Sequence, residues 1–192
     1  MARPLAVDST TGFAARSQQD NPKDSLHRLI ATIVQRHHGY LKRELPAIEA
    51  LIAEAARVEI SGFQRTAASL LPLFLRFRRE LESHMRREEV TLFPLIERLE
   101  AAVAAGQPAP RNSFGPLGNA IAFMDEDHEF SHKLLYRMAE MTCNYASPPD
   151  ASEQYAMAMN RLHGVAIDMD EHVQIEDQVL FPRAMLMESQ AA

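Results

Sequence analysis

The sequence has few of the features on which several common classes of protein depend. Its 192 residues include a single cysteine, Cys143, and no tryptophan, so an internal disulfide or a CxxC thiol pair is excluded. No apolar run approaches the roughly 20 residues that cross a bilayer. Basic residues are outnumbered, with 20 Lys and Arg against 26 Asp and Glu, which argues against nucleic-acid and anionic-membrane partners.

The remaining composition is that of an ordinary globular chain, with 46% hydrophobic and 24% charged residues. Residues 1–22 lack hydrophobic periodicity, so we predict a flexible N-terminal tail there. The same stretch holds no continuous apolar segment of the kind that a secretory signal needs, and a cytoplasmic location is therefore predicted. Residues 23–192 are long enough to form one domain with its own core.

Four long segments repeat hydrophobic residues at the spacing of an α-helix. The predicted helices run from about residue 24 to 57, from 67 to 104, from 117 to 146 and from 151 to 187. Pro46 is expected to kink the first helix rather than end it, because the hydrophobic period continues beyond it. Two-residue alternation is absent, so no strand is predicted. Short links between the four helices favour an all-α, up-down-up-down four-helix bundle.

One stretch of the sequence occurs twice. ESHMRREEVTLFP at 82–94 returns as DEHVQIEDQVLFP at 170–182, so that His84 and Glu88 correspond to His172 and Glu176 at an offset of 88 residues. Residues four apart on an α-helix are separated by only ~40° around its axis, so each histidine shares a face with its glutamate. A nitrogen donor and an oxygen donor on one face, supplied twice, suit a first-row transition metal.

Three further histidines, His38 on the first helix and His128 and His132 on the third, fall on apolar helix faces. His38 and His84 are placed alike on one predicted hairpin, as are His128 and His172 on the other, so four histidines should converge at one level. The candidate metal ligands are the inward histidines and glutamates: His38, His84, Glu88, His128, His132, His172 and Glu176.

The two glutamates need a compensating positive charge, since an unpaired carboxylate in an apolar core costs several kcal/mol. No lysine or arginine lies at the right helical phase to supply it, whereas a pair of metal cations would. Asp177, next to Glu176, stays open as the carboxylate of the fourth helix. Glu89 is expected to face solvent, and His37 is expected to lie outside the set of ligands.

These residues resemble the hemerythrin-like family over about residues 24–187. The family pattern is a lone histidine on the first helix, His-x-x-x-Glu on the second, His-x-x-x-His on the third, and a histidine followed four or five residues later by a carboxylate on the fourth. The resemblance implies two non-haem iron ions bridged by an oxo group and by carboxylates. It also implies that one iron takes His38 and His84, while the other takes His128, His132 and His172.

A narrower resemblance is to the bacterial proteins that repair iron centres, and it is carried by the segments HHGYLKRELP, SHMRREEVTLFP and EHVQIEDQVLFPRA. That subfamily uses His-x-x-x-Glu on both the second and the fourth helix, which favours Glu176 over Asp177 as the bridging carboxylate. Helical phase agrees, because a five-residue step turns the side chain ~140° away from His172. Those proteins usually carry an N-terminal domain with paired cysteines, and the predicted 22-residue tail has no cysteine.

The resemblance leaves three functions open. The first is iron-centre repair, by iron donation or by defence against nitric oxide and oxidative stress, with an iron-acceptor protein as partner. The second is reversible binding or sensing of oxygen or nitric oxide. The third is a structural metal that stabilises the bundle. Oxygen, nitric oxide or peroxide is the expected small ligand of the first two, and their ligand residues are the same.

Overall fold

A computed structural model of the chain describes residues 25–57, 63–113 and 115–191. These residues form four long helices that pack as a bundle, and none of them forms a strand. The predicted all-α four-helix bundle is confirmed. The predicted tail at 1–22 and part of the link between the first two predicted helices, residues 58–62, lie outside the described residues.

The four helices are continuous, and three of them contain a π-helical turn. The first comprises Leu26–Thr32, Ile33–His38 and Gly39–Ala55; the second comprises Phe63–Arg87, Glu88–Leu92 and Phe93–Ala104; the third is Leu117–Met141; the fourth comprises Glu153–Ile175, Glu176–Leu180 and Phe181–Gln190. The first helix packs against the second and the fourth, and the third packs against the second and the fourth. None of the described helices is long and apolar enough to cross a membrane.

The helices begin and end where side-chain caps and backbone conformation require it. The side chains of Ser25 and Ser152 accept hydrogen bonds from N–H groups in the first turns of the first and fourth helices, as N-cap serines do. The third helix ends at Met141 rather than near the predicted residue 146. The cause is a run of three residues with positive φ, at 143–145, whose left-handed backbone cannot continue an α-helix. The first helix runs through Pro46 without ending.

The π turns border the predicted ligands. The turns Glu88–Leu92 and Glu176–Leu180 are each followed directly by Phe-Pro, and the N–H groups of Phe93 and Phe181 donate to the carbonyls of Glu88 and Glu176. Proline has no N–H, and its ring collides with the carbonyl four residues back. A widened turn just ahead of the proline relieves both defects. The repeated Leu-Phe-Pro motif thus places a π turn beside each glutamate.

The described core consists of two apolar clusters at opposite ends of the bundle. One end is filled by side chains that include Leu41, Leu45, Ile48, Phe74, Phe77, Leu81, Leu135, Met138, Leu162 and Val165. The other end includes Leu26, Leu29, Ile33, Phe93, Ile96, Leu117, Ile121, Leu180 and Phe181. Along every helix the predicted ligands fall between residues of the two clusters. The bundle therefore encloses a polar layer between two apolar ends.

Candidate metal centre

Six buried side chains from all four helices meet in this polar layer. They are the histidines and glutamates of the duplicated stretch and two partners from the other helices: His38, His84, Glu88, His128, His172 and Glu176, each no more than 4% exposed. The converging atoms are imidazole Nε2 nitrogens and carboxylate oxygens, which are donors that first-row divalent metals take from proteins.

One half of the cluster joins the first helix to the fourth. The Nε2 atoms of His38 and His172 are 3.3 Å apart. Glu88 Oε2 lies 3.3 Å from His38 Nε2, and Glu176 Oε1 lies 3.0 Å from His172 Nε2. One donor atom from each of these four residues lies within 4.8 Å of the other three, which is compact enough for a single metal ion.

The other half joins the second helix to the third with the same chemistry. The Nε2 atoms of His84 and His128 are 3.2 Å apart. Glu88 Oε2 is 3.3 Å from His84 Nε2, and Glu176 Oε2 is 3.1 Å from His128 Nε2. These four residues form a second group of donors within 4.8 Å of one another. Both glutamates therefore belong to both groups, as bridging carboxylates would.

The grouping of the histidines differs from the one that the resemblance implied. His38 pairs with His172 rather than with His84, and His84 pairs with His128. The duplication of the chain allows either pairing, because each helix of a four-helix bundle has two neighbours. Only the side-chain packing at the centre selects between them, and a sequence pattern does not contain that information.

His132 is the one predicted ligand that the structure does not bring into the cluster. Its side chain is 41% exposed, and its Nε2 lies 3.7 Å from Asp170 Oδ1. The reason is the direction of the chain. Glu88 and Glu176 follow their histidines by four residues on the second and fourth helices, whereas the third helix runs the opposite way. A four-residue step from His128 therefore moves away from the glutamates.

The six residues fit a metal centre on their hydrogen bonding. Both carboxylate oxygens of Glu88 and the Oε2 atom of Glu176 are buried without a hydrogen-bond partner in the structure. Unsatisfied buried carboxylate oxygens are costly. The facing Nε2 atoms in each histidine pair are also too close for both to carry a hydrogen. Cations between them would satisfy the oxygens and the nitrogens together.

The pKa values of these groups are shifted because charged and ionisable side chains are buried close together. Burial raises the pKa of Glu88 well above its ordinary value, and the charge of Glu176 adds to the rise. Burial acts in the same direction on Glu176, but the charge of His172 and the contacts with both facing histidines outweigh it and hold its pKa well below the ordinary value. Burial, supported by His172, lowers the pKa of His38 to about 4. A neutral His38 is the form that binds a metal.

Three of the four histidines have a carboxylate beside their outer nitrogen. The distances from Nδ1 are 2.7 Å for His38 to Glu89 Oε1, 3.4 Å for His84 to Asp127 Oδ2 and 3.2 Å for His128 to Asp177 Oδ1. A carboxylate at this position fixes the tautomer and the ring orientation, and leaves the Nε2 lone pair pointing at the metal. The three acidic residues would therefore orient the histidines of the two inner groups.

Glu89 is a functional candidate that sequence reasoning missed. It was expected to face solvent, but one carboxylate oxygen contacts His38, and Lys42 Nζ donates to both of its oxygens at 2.6 and 2.8 Å. The signal was present in the duplication, because Glu89 and Asp177 are related by the same offset of 88 residues as the two glutamates. Each of the pair supports a histidine on a neighbouring helix.

His172 has a different neighbour. The ring of His37 stacks on it, with centroids 5.5 Å apart and planes at 11°, and His37 Nδ1 lies 3.0 Å from Asp168 Oδ1. His37 is fully buried and lies outside both groups of donors. It packs against the ligand shell.

The structure also separates the two adjacent carboxylates of the fourth helix. Glu176 is fully buried inside the cluster, while Asp177 is 39% exposed and lies against the outer nitrogen of His128. The four-residue step from His172 thus leads into the centre, and the five-residue step leads to its rim.

The fold and the cluster together define a class of protein: a four-helix bundle in which histidines from every helix and two shared glutamates surround a candidate two-metal site. Residues 29–184 match the model of the hemerythrin HHE cation-binding domain, and the chain belongs to this family.

Among curated proteins, the chain is 30% identical over 162 residues to the iron-sulfur cluster repair protein YtfE of Citrobacter koseri. It has the same identity over the same length to the proteins of that name from Escherichia coli and Escherichia fergusonii. The match covers 83% of this chain and 66% of each relative, so the chain spans slightly less than two thirds of the length of these relatives.

Proposed function

We propose that the chain holds two non-haem iron ions and acts in the cytoplasm in the repair of iron centres, by donating iron or by removing nitric oxide and oxidants. The residues that would hold the two ions are His38 and His172 for one, His84 and His128 for the other, and Glu88 and Glu176 for both. When bound, the ferrous pair would supply redox chemistry and open positions for a diatomic ligand.

The observation that carries the two-metal part of the proposal is the sharing of both glutamates by two groups of like composition. Two histidines with carboxylate oxygens form a donor set that leaves positions open on ferrous iron. Four neutral rings and two carboxylates also leave two of the four positive charges of a ferrous pair uncompensated. Because the ligands carry only two negative charges, they hold the ferrous ions less strongly than a carboxylate-rich site would, which favours a centre that can give up its iron.

The surrounding residues would control the centre without binding it. Glu89 and Asp127 accept hydrogen bonds from the Nδ1 atoms of His38 and His84, and their own charges are held by Lys42 and Arg87. These contacts fix the tautomer of each ring with Nε2 directed inward, while burial lowers the pKa of His38 and of His84 and so favours their neutral forms. The apolar clusters above and below the layer limit the access of water and protons to bound ligands.

The repair role is supported by the relatives named as iron-sulfur cluster repair proteins, which match this chain over 162 residues. Fold alone would not distinguish repair from other uses of the same bundle.

The proposal is tested by mixing the anaerobically iron-loaded chain with a damaged iron–sulfur enzyme and measuring how much of its activity returns. The matched control is the Glu88→Gln variant, which keeps the shape of the side chain but removes a shared charge. We expect recovery with the native chain, loss of iron from it in proportion, and little recovery with the variant. No recovery above that given by the same amount of free ferrous iron would contradict the repair role.

A second function, reversible binding or sensing of oxygen or nitric oxide, is favoured by the enclosure of the centre. His38 stacks on Phe93 and His128 on Phe181, with ring centroids 5.9 and 6.4 Å apart, so aromatic rings close the cluster on one side. Adding and then removing each gas over the anaerobic iron-loaded chain separates the two functions. A spectral change that reverses without loss of iron supports binding, whereas oxidation with transfer of iron to a chelator supports repair.

A further inference from the structure

The three carboxylates around the histidines differ in how their own charge is balanced. Glu89 is paired with Lys42, and Asp127 is paired with Arg87. Asp177 has no lysine or arginine partner among the described residues.

A second carboxylate, Asp125, takes the place of a cation beside Asp177. Burial, together with the charge of Asp177, raises the pKa of Asp125, and no lysine or arginine of the described chain pairs with it. Two acidic side chains therefore lie close together at the rim of the bundle, whereas the carboxylates beside His38 and His84 are each paired with a base. The local charge balance lacks one cation.

The third member of this surface cluster is the buried imidazole of His128. Its Nδ1 atom makes no hydrogen bond in the structure, although the ring is only 4% exposed and Asp177 Oδ1 lies 3.2 Å away. One donor atom each from Asp125, His128 and Asp177 lies within 4.8 Å of the other two. An imidazole nitrogen and two carboxylate oxygens at this spacing suit a divalent first-row metal.

We propose that Asp125, His128 and Asp177 form an outer site for a divalent metal ion, at which the ion docks before it passes to the buried centre. The site itself is independent of the proposed function, whereas the passage rests on it. His128 connects the two sites, because its Nδ1 faces the outer cluster and its Nε2 faces Glu176 at 3.1 Å. Asp125 and Asp177 are exposed to solvent, so an arriving ion can reach them.

The passage has a simple chemical balance. A neutral imidazole has one lone pair, so His128 binds an ion through Nδ1 or through Nε2 but not through both. When His128 releases the ion at Nδ1 and offers Nε2 to the centre, the ring proton moves from Nε2 to Nδ1. The Nδ1–H group can then donate to Asp177. The outer site is thus expected to empty as the inner one fills, which makes it a transient docking site.

Asp125→Asn is the decisive variant, because Asp125 is exposed and belongs to neither inner group. Its matched control is Glu129→Gln on the same helix, which removes one acidic charge from an exposed ion pair with Lys133. Cobalt(II) is a suitable probe, since it has a visible spectrum and resists oxidation. The first measurement counts bound cobalt in a Glu88→Gln/Glu176→Gln background, where the two glutamates of the inner centre are disabled.

In that background we expect Asp125→Asn to remove one bound cobalt ion per chain, or to weaken it by about tenfold or more, and Glu129→Gln to remove none. Equal binding with and without Asp125 would overturn the outer site. Circular dichroism verifies that every variant keeps its helices. This measurement does not depend on the inner centre, so it tests the outer site even if the native chain fails to take up two metal ions.

The second measurement follows the rate at which the metal-free native chain takes up cobalt. Asp125→Asn should slow uptake by about tenfold and leave the final cobalt content unchanged, while Glu129→Gln should load at the native rate. Uptake by Asp125→Asn at the native rate would overturn the passage through this site.

Discussion

The second and fourth helices each give the cluster a histidine and a glutamate, whereas the third helix gives a histidine alone. The second and fourth helices are interrupted by π turns that begin at the glutamates and precede Phe-Pro. The third helix is regular from Leu117 to Met141. Its second histidine, His132, is half-exposed one turn away from the centre.

The difference shows that a four-residue spacing predicts the position of the second residue in a site only when the direction of the helix is known. On helices that run the same way, such a step from each histidine leads to the same side of the histidine layer. On a helix that runs the opposite way, it leads to the other side. Two glutamates converge for this reason, and His132 lies on the other side of the histidine layer in this structure.

The largest effect is expected from removing the charge of either shared glutamate. Glu88→Gln or Glu176→Gln keeps the shape of the side chain but leaves both ions short of one negative charge. Each variant should lose at least one of the two bound metal ions, measured by elemental analysis after anaerobic loading with iron. The Asp177→Asn variant is the comparison, because this neighbour of Glu176 lies at the rim, and it should retain both ions.

Loss of iron in Asp177→Asn with full retention in Glu176→Gln would reverse the roles of the two carboxylates. The fourth helix would then use a five-residue step, and the proposed function would move from repair towards reversible oxygen binding.

A second test compares the two histidines of the third helix. His128→Ala should lose one bound ion, because it removes one of the two histidines of a group. His132→Ala should keep both ions and change the free energy of unfolding by about 0.5 kcal/mol or less, as substitutions at exposed positions do. Metal content and chemical denaturation measure the two effects. A loss of metal in His132→Ala would show that this side chain moves into the centre.

A smaller effect concerns pH. Burial lowers the pKa of His128, but the adjacent carboxylates of Asp177 and Glu176 outweigh it and raise this pKa to about 9. At pH 7 the ring of the metal-free chain therefore carries a proton, which a bound metal must displace. Zinc binding should release at least one proton per chain at pH 7, and the part that comes from His128 should vanish as the pH rises through about 9.

Calorimetry in two buffers of different ionisation enthalpy counts these protons. His38 contributes none near neutral pH, because its pKa of about 4 leaves the ring already neutral. The Asp177→Asn variant should release fewer protons at pH 7, since it removes the partner that stabilises the charged form of His128. Zinc binding without any proton release at pH 7 would contradict the assignment.

The bundle and most of the site could be predicted from the sequence because both rest on local spacing. Helical periodicity gives the four helices, and the offset of 88 residues relates His84 and Glu88 to His172 and Glu176. The helix ends were less predictable. The left-handed run at 143–145 shortens the third helix, and no glycine in that run signals it.

The remaining features depend on which helices touch. The pairing of His38 with His172 and the contact of Glu89 with His38 both follow from packing between helices. A pattern along one helix shows which residues share its face, but it does not show which neighbour that face meets. Glu89 is an example. The pattern of its own helix predicts that it faces solvent, but His38 and Lys42 of the neighbouring first helix contact its carboxylate.

The most direct test of the central claim is a crystal structure of the anaerobically iron-loaded chain, with diffraction measured on both sides of the iron absorption edge. The account predicts two anomalous peaks per chain. One peak should lie between His38 and His172, the other between His84 and His128, with Glu88 and Glu176 contacting both. A single peak, or a peak bound by His132, would contradict it.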